Sequence, residues 1–517
     1  MKKTTTCVPL FLLALCSLAN ARGVSPYLPL YLEPEIERQI ERALILADKP
    51  ILKRPIAAAT VLDALPKACD ADPALCAQVR RYLGRYMHNG GVSHTSVEVA
   101  ASTGASRTIP NRRGLTTDAS WATSGLAYLQ PSDYVLLSLG GIAYDGESVP
   151  AGSVLSVGTS RAQLDIGYRE HWLSPMTDSS MLLSTESLTM PSVTLSNYAP
   201  LTRLGLYYEA FLARMDRSDR IVFVDPQDEN DDGFTSGYPR LAGLHFSIEP
   251  ASGWSLGISR ILQYGGGERS ASFRDLLDAL FMPSDFDNAE VGGDVQEQVG
   301  NQAAAITSRF VYPGPVPFAV YFEYAGEDTS HGKDYLLGNS ALSAGIHFPR
   351  LGRRFDLTYE VSEWQNGWYV HGLYLDGLTN DGRVIGHWGA DQRVFEDAVG
   401  AQSHMLRLGW EPAFGGVAEL RLRTLENESY GRFDYERAYD VTLRYARQWH
   451  QFYVGGEIFA GRDVFGEDFS RVGLFLRYAD GPRRSVTSLY EPSASEAPQG
   501  AELFVVADVN VHEVRKI

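Results

Sequence analysis

One pattern runs through most of the chain: between residues 92 and 480, apolar residues alternate with small, polar or charged ones. Successive side chains of a β-strand point to opposite faces, so this period of two indicates strands with one apolar and one polar face. The pattern is clearest in five runs, at residues 342–348, 355–361, 418–423, 439–445 and 471–478. No internal apolar run reaches the roughly 18 residues that a membrane-spanning helix requires. The chain is therefore predicted to be all-β, and helical membrane proteins are excluded.

The alternation alone fits two architectures. A soluble sandwich buries its apolar faces in one core, whereas a membrane barrel turns them to lipid and encloses a polar lumen. Three features favour a large antiparallel transmembrane barrel over residues 92–480. The pattern continues without a change of composition, aromatic residues recur near strand ends, and short turns such as 349–354 alternate with long polar stretches such as 225–238 and 284–302. A barrel is the form that leaves no strand edge unpaired in lipid.

The first 21 residues resemble a secretory signal peptide. A basic start is followed by the apolar stretch 8–18, and Ala19-Asn20-Ala21 supplies the small-x-small pattern for cleavage between Ala21 and Arg22. A lipoprotein site at Cys16 is the alternative, but Leu15 is too large for that processing. Export across the inner membrane is therefore expected, and residues 22–91 would begin the mature chain.

Residues 22–91 are predicted to form a helical unit. Ile36, Ile40 and Leu44 repeat at helical spacing, and Asp72-Pro73 is typical of a capped helix start. Gly90-Gly91 is expected to end the helical run. Beyond the barrel, residues 481–517 are interpreted as a linker, rich in Pro, Ser and Gly, and a tail with one more apolar run.

Cys69 and Cys76 are the two cysteines left after cleavage. In an oxidising compartment, a disulfide between them is the leading interpretation. Two free buried thiols are the alternative. Two cysteines without nearby histidines do not form a zinc site.

The balance of charge bears on the partners. The chain has 46 Lys and Arg against 63 Asp and Glu, a net charge of −17, and it has no basic stripe. Nucleic acid is therefore excluded as a partner, because binding to its phosphates requires clustered positive charge. Removal of the signal peptide would take away Lys2 and Lys3 and make the mature chain more acidic.

The sequence contains partial matches to catalytic and metal-binding motifs, but each lacks a required residue. Residues 257–261 lack the second glycine of a G-x-S-x-G motif, and 228–239 begin like a calcium loop but place Pro239 where a glutamate is required. The acidic pairs 327–328 and 396–397 are adjacent on the chain, so on a strand their side chains would point apart. No enzyme activity, cofactor or metal is predicted, although a looser divalent-ion site near residues 225–233 stays open.

One block of sequence is more specific. Residues 260–267 read Arg-Ile-Leu-Gln-Tyr-Gly-Gly-Gly, Ser272-Phe273 follows, and an acidic stretch ends in Gly300-Asn301-Gln302. This block resembles the capsule assembly Wzi family of Gram-negative outer-membrane proteins. Further likenesses lie at 170–175 and 326–328, so the resemblance spans roughly residues 30–480. The chain departs from the family in its tail and at Leu173-Ser174-Pro175, where some members have W-G-P.

The resemblance implies an outer-membrane barrel of about eighteen strands with a periplasmic helical unit that blocks its mouth. It also implies a lectin-like function: binding capsular or extracellular polysaccharide at the cell surface and assisting capsule assembly or attachment. The partners would be polysaccharide, outer-membrane lipid and the outer-membrane assembly machinery, and the protein would be a monomer. A porin-like solute channel and an outer-membrane hydrolase are the alternatives.

The resemblance also gives candidate glycan contacts, which carry the amide, guanidinium, carboxylate and aromatic groups that bind sugars. They are Arg260, Gln263, Tyr264, Gly265, Gly266, Arg269, Ser272, Phe273, Asn301, Gln302, Glu327 and Asp328. The alternative for this block is structural: residues 265–267 form a bend and Arg260 lines the lumen.

Overall fold

The computed structural model forms a closed antiparallel β-barrel with a helical unit at one end. It describes residues 22–478 except 225–231, 270–271, 273–275, 277–298, 331–332, 353, 395–396 and 430–431. The predicted signal peptide and the tail from residue 481 lie outside the described residues.

Three helices form where the apolar spacing predicts them. They are α1 (Pro34–Leu46), α2 (Ala58–Ala71) and α3 (Pro73–Leu83), with a 3₁₀ turn at Gly84–Tyr86. The Asp72 side chain caps α3 by accepting a hydrogen bond from the Leu75 N–H at 3.0 Å. Cys69 of α2 and Cys76 of α3 form a disulfide across a Cα–Cα distance of 4.9 Å.

The strands follow in an almost unbroken series from residue 90. In chain order they are β1 (Gly90–Gly104), β2 (Trp121–Ser132), β3 (Val135–Tyr144), β4 (Glu147–Val149), β5 (Val154–Thr159), β6 (Ala162–Gly167), β7 (Ser192–Ser196), β8 (Tyr207–Arg214), β9 (Ser218–Val222), β10 (Phe234–Gly237), β11 (Arg240–Ala251), β12 (Trp254–Tyr264), β13 (Gly300–Tyr312), β14 (Phe318–Ser330), β15 (Lys333–Leu351), β16 (Phe355–Trp364), β17 (Thr379–Asn380), β18 (Arg383–Val384), β19 (Ala401–Trp410), β20 (Val417–Asn427), β21 (Ala438–Trp449), β22 (Phe452–Arg462) and β23 (Asp468–Tyr478).

The barrel has eighteen strands and closes by pairing β1 with β23. Strands β4 and β5 both pair with β3 and together make one barrel strand. The pairs β9–β10 and β17–β18 lie in connections and are not part of the barrel sheet. The predicted helix end at Gly90-Gly91 is wrong, since α3 ends at Leu83 and these glycines begin β1. A Cβ at position 90 would lie 2.9 Å from the Tyr128 carbonyl oxygen, so the strand requires glycine there.

The wall is apolar outside and polar inside. Leu474 on the outer face is 65% exposed, whereas Glu360 on the inner face is 0% exposed. This is the reverse of a soluble sandwich and matches a barrel that faces lipid. Aromatic rings form a girdle at the end of the barrel where the short turns lie, including Trp254, Phe310, Tyr312, Phe318, Phe355, Trp410 and Phe452.

The two ends of the barrel differ. One end has short turns such as 252–253 and 450–451, and the other has long connections such as 168–191 and 365–400. The helical unit lies at the short-turn end, where Asp48 accepts a hydrogen bond from Ser252. None of the helices among the described residues is long and apolar enough to cross a membrane.

Candidate functional site

Buried charge pairs fix the helical unit inside the mouth of the barrel. Glu35 of α1 pairs with Arg477 and, at 3.1 Å, with Arg444, both on the inner wall. Glu41, one and a half turns further along α1, pairs with Arg309 on β13. A buried charge is tolerated only when an opposite charge and hydrogen bonds compensate for its lost hydration. These contacts therefore set the position of α1 against the wall.

Two carboxylates of α1 titrate far from the usual range, in opposite directions. Burial disfavours the charge of Glu41, but Arg309 and Arg54 outweigh it and lower the pKa of Glu41 to about 2. Burial raises the pKa of Glu37 to about 7, and the nearby Glu33 carboxylate adds to the shift. Glu41 is thus a permanent ion-pair partner, whereas Glu37 changes its charge near neutral pH.

A first inward loop, residues 168–191, enters the lumen from the end with the long connections. Its Trp172 reaches the segment before α2, where Arg54 N donates to the Trp172 carbonyl at 2.9 Å and Trp172 N donates back at 3.0 Å. The indole is fully buried and lies 5.1 Å from the Tyr31 ring, centroid to centroid. The loop and the helical unit therefore meet in the middle of the barrel.

Carboxylates of the inner wall bind the first inward loop. Glu360 accepts hydrogen bonds from the backbone N–H groups of Thr177 (2.6 Å), Asp178 (3.1 Å) and Ser179 (3.2 Å). Glu323 accepts one from the Ser174 hydroxyl at 2.6 Å. Because a buried N–H needs an acceptor, these wall residues determine the path of the loop.

A second inward loop, residues 365–400, is bound by two of the candidate glycan contacts, Glu327 and Gln263. Both oxygens of Glu327 accept from Tyr369 N at 2.9 Å. Gln263 donates its amide to the Gly377 carbonyl at 3.1 Å. These contacts explain why an amide and a carboxylate lie at the upper ends of β12 and β14.

The predicted bend at the end of β12 is present. Gly265, Gly266 and Gly267 have φ of 65°, 93° and 57°, in the left-handed region that favours glycine. The Gly265 carbonyl accepts from the Tyr374 hydroxyl at 3.0 Å, and Arg269 donates to the Val222 carbonyl at 2.9 Å. This turn therefore joins β12 to the second inward loop and to β9.

The remaining residues of the block divide between the two faces of the wall. Asn301 pairs in register with Gln263 and is buried on the inner face. Arg260 lies on the same face of β12 as the exposed Trp254 and Ile258 and donates to the Gln302 amide oxygen at 3.1 Å, so the interpretation that Arg260 lines the lumen is wrong. Tyr264 also points outward and packs in a buried cluster with Ala242, Leu262 and Leu276.

For three of the candidate glycan contacts, Ser272, Phe273 and Asp328, the structure describes few or no contacts. The Ser272 carbonyl accepts from Leu276 N at 3.1 Å. Phe273 lies outside the described residues, as does the side chain of Asp328. The candidate contacts thus do not form one exposed site: Gln263, Asn301 and Glu327 are buried in the interior, and each is at most 3% exposed.

A family model matches this chain over the region just described. The model is that of the capsule assembly protein Wzi, and it matches residues 85–401, more than half of the chain. The chain belongs to the Wzi family. No curated protein sequence matches it.

Among solved structures, the barrel is similar to Wzi of Escherichia coli, described as an outer-membrane, carbohydrate-binding β-barrel involved in group 1 capsule assembly. That protein is 14% identical, with a TM-score of 0.62 over 89% of this chain and 100% of its own. Two Pseudomonas aeruginosa proteins, OpdQ and OccK5, are each 11% identical, with TM-scores of 0.44 and 0.43. They cover 76% and 75% of this chain and 98% and 96% of their own.

The family and the fold together place this Wzi-family chain in the outer membrane. Its apolar outer face and aromatic girdle provide the surface that lipid requires. Closure of the sheet leaves no strand edge in the hydrocarbon layer.

The residues of the incomplete catalytic and calcium-binding motifs have structural positions in this Wzi-family barrel. Gly257 and Ser259 lie within β12 and point to its inner face. Residues 228–231 of the calcium-like stretch 228–239 lie outside the described residues, and Asp232 accepts from Phe234 N at 3.0 Å. Within the described ranges, no group of three or more His, Cys, Asp or Glu residues is arranged to bind a metal ion.

One exposed feature at the end with the long connections was not predicted. Phe433 and Tyr435, in the connection after β20, line up with Phe465, in the connection after β22. We call these three rings the aromatic patch. No sequence motif identifies these rings. The sequence feature that could have predicted them is that they are aromatic residues within short polar connections, away from the strand ends where girdle residues lie.

Proposed function

We propose that this protein binds capsular or extracellular polysaccharide at the cell surface and assists its attachment there. Membership of the capsule assembly family supports this most directly. In barrels of the outer membrane, short turns face the periplasm and longer loops face outward. The helical unit is then periplasmic, and the exposed residues of 432–437 and 463–467 face the polysaccharide.

A filled lumen supports a binding protein over the porin-like alternative. The helical unit enters from the periplasmic end and the first inward loop from the outside, and the two meet at Arg54 and Trp172. Buried ion pairs between α1 and the wall, such as Glu41–Arg309, stabilise the obstruction. A solute would have to displace these contacts to pass.

The arrangement of carboxylates favours binding over hydrolysis. Glycoside hydrolysis needs two carboxylates on either side of one bond. Glu323, Glu327 and Glu360 instead accept hydrogen bonds from the inward loops. We therefore propose a non-enzymatic protein, and we expect a monomer that reaches the membrane through the outer-membrane assembly machinery.

Binding of purified surface polysaccharide to the purified, detergent-folded protein tests this proposal. The polysaccharide comes from the same bacterium, and binding is followed by affinity electrophoresis with an unrelated outer-membrane barrel as control. We expect retardation of this protein alone. Equal migration of both proteins, or shortening of the polysaccharide during incubation, would overturn the proposal.

A further inference from the structure

The aromatic patch presents three rings in a row. Ring centroids are 6.5 Å apart between Phe433 and Tyr435 and 6.0 Å apart between Tyr435 and Phe465. Phe433 is 38% exposed and Phe465 is 46% exposed, while Tyr435 is half-buried between them. The spacing is on the scale of one sugar residue, and flat apolar rings match the C–H faces of sugars.

The patch lies beyond the hydrocarbon layer. Arg462 at the end of β22 pairs with Asp468 at the start of β23 at 2.8 Å, and both side chains are exposed. Charged groups on the lipid face are strongly disfavoured in hydrocarbon but tolerated near its boundary. Phe465 follows Arg462 in the connection above this pair, so its ring faces the aqueous side and is not part of a lipid girdle.

Hydrogen bonds fix Tyr435, the central ring, before any ligand binds. The Tyr435 hydroxyl donates to Asp397 Oδ2 at 2.6 Å and accepts from Val394 N at 3.1 Å, both on the second inward loop. Glu436 N donates to the Val464 carbonyl at 2.8 Å and joins the two connections that carry the rings. A preorganised surface loses little conformational entropy on binding.

Phe465 is fixed by its own turn. Asp463 Oδ1 accepts from Phe465 N at 2.8 Å and from Glu467 N at 2.9 Å. Arg107 pairs with Asp463 and lies over the Phe465 ring, with its guanidinium carbon 5.7 Å from the centroid. Arg107 therefore holds the Phe465 ring in place, while much of the ring stays accessible to solvent.

The charges around the patch indicate which ligands it accepts. The connections that carry the rings also carry three exposed carboxylates, on Asp434, Glu436 and Glu467, and the exposed Arg432, whose guanidinium carbon lies 6.0 Å from the Phe433 centroid. The carboxylates outnumber this guanidinium. The Arg107 guanidinium also pairs with Glu467 at 2.7 Å. Carboxylates accept hydrogen bonds from hydroxyl groups but repel other carboxylates.

We propose that the aromatic patch is a polysaccharide-binding site and that it binds uncharged, hydroxyl-rich sugar residues. This rests on the proposed function. Sugar C–H faces stack on Phe433 and Phe465, and sugar hydroxyls donate to the surrounding carboxylates. Acidic residues of the same polysaccharide are kept off the rings by the local negative charge.

The test compares variants in the affinity-electrophoresis assay. The double variant F433A/F465A is expected to bind the polysaccharide at least about tenfold more weakly than the wild type, because two ring contacts are lost. F433Y/F465Y keeps both rings and is expected to bind like the wild type. The matched control is F414A, which removes an aromatic ring that is 62% exposed at the opposite end of the barrel. Heat-modifiable migration of each variant establishes that the barrel is folded.

The outcomes separate the two proposals. Equal binding by wild type and F433A/F465A overturns the patch and leaves the proposed function standing. Absence of binding by the wild type overturns the proposed function and the patch with it. Reduction of the carboxyl groups of the polysaccharide to alcohols is expected to leave binding unchanged or stronger. A tenfold loss after this reduction would contradict selectivity for uncharged residues.

Discussion

Arg54 and Trp172 exchange two backbone hydrogen bonds of 2.9 and 3.0 Å in the interior of the barrel. Arg54 belongs to the helical unit at the periplasmic end, and Trp172 belongs to a loop that enters from outside. Two segments that are far apart in sequence therefore meet inside the barrel. We propose that they form one continuous plug, which would close a barrel of this size without a separate domain in its centre.

Truncation of Trp172 should loosen the plug. Its indole is fully buried, and removal of a buried Trp side chain costs about 3–5 kcal/mol. W172A is expected to lower the midpoint of urea unfolding and to give transient conductance steps in planar bilayers. W449A, at a ring 63% exposed, is the control and should change neither. A W172A protein as silent and stable as the wild type would contradict a role for this contact.

Charge pairs of α1 give a second prediction. E41Q leaves Arg309 buried without its partner, which costs about 3–5 kcal/mol. Hydrogen exchange of α1 is expected to speed up, as measured by mass spectrometry. The exposed pair between Arg22 and Asp63 supplies the control variant D63N, for which little change is expected. Unchanged protection of α1 in E41Q would contradict a role for the Glu41–Arg309 pair in fixing the helix.

Glu37 predicts a pH dependence. Its pKa is raised from 4.5 to about 7 in the folded protein, so its contribution is fully present below about 4.5 and is lost as the pH rises through 7. Protection of α1 from exchange, corrected for intrinsic rates, should therefore fall between pH 5 and pH 8. E37Q should make the protection of α1 less dependent on pH. The same pH dependence in wild type and E37Q would contradict the assignment of this effect to Glu37.

Glu327 is expected to determine the order of the second inward loop. E327A leaves the buried Tyr369 N–H without an acceptor, a cost of about 1–3 kcal/mol. Limited proteolysis of intact cells is expected to cut within residues 365–400 in E327A but not in the wild type. E327Q retains an acceptor oxygen and should be cut much less than E327A. Equal resistance of all three proteins would contradict this role.

The disulfide gives a prediction about the isolated helical unit. Cys69 and Cys76 should resist thiol labelling in the unreduced, denatured protein and react fully after reduction. A loop of this length contributes about 2–3 kcal/mol in the chain-entropy model. C69S/C76S is therefore expected to lower the unfolding midpoint of the helical unit. Full labelling without reduction would show two free thiols.

The sequence predicts most of the wall because its signals are local. Alternation around Arg471 and Leu474 decides which side chain faces lipid, and Asp72-Pro73 marks a helix start, since both depend on neighbours along the chain. The choice between barrel and sandwich needed the length of the pattern and the family resemblance. The α1 spacing and the five clearest runs each coincide with an observed helix or strand, although β15 already begins at Lys333, well before its run at 342–348.

The contacts inside the barrel and the aromatic patch could not be predicted from local sequence patterns. Trp172 and Glu327 look like surface or glycan-binding residues in sequence, yet their partners, Arg54 and Tyr369, are distant along the chain. Arg260 lies between Ile258 and Leu262 on the outward face of β12, and only its charge had suggested that it lines the lumen. The aromatic patch depends on two connections that meet only after the strands pair.

The account is tested most directly by the distribution of polysaccharide between cells and medium. The gene is deleted and then restored on a plasmid as wild type or as F433A/F465A, and cell-bound and released polysaccharide are measured at equal total synthesis. We predict that deletion releases polysaccharide into the medium and that the wild-type gene restores its attachment. An unchanged cell-bound fraction in the deletion strain would contradict the claim that this barrel attaches polysaccharide to the cell surface.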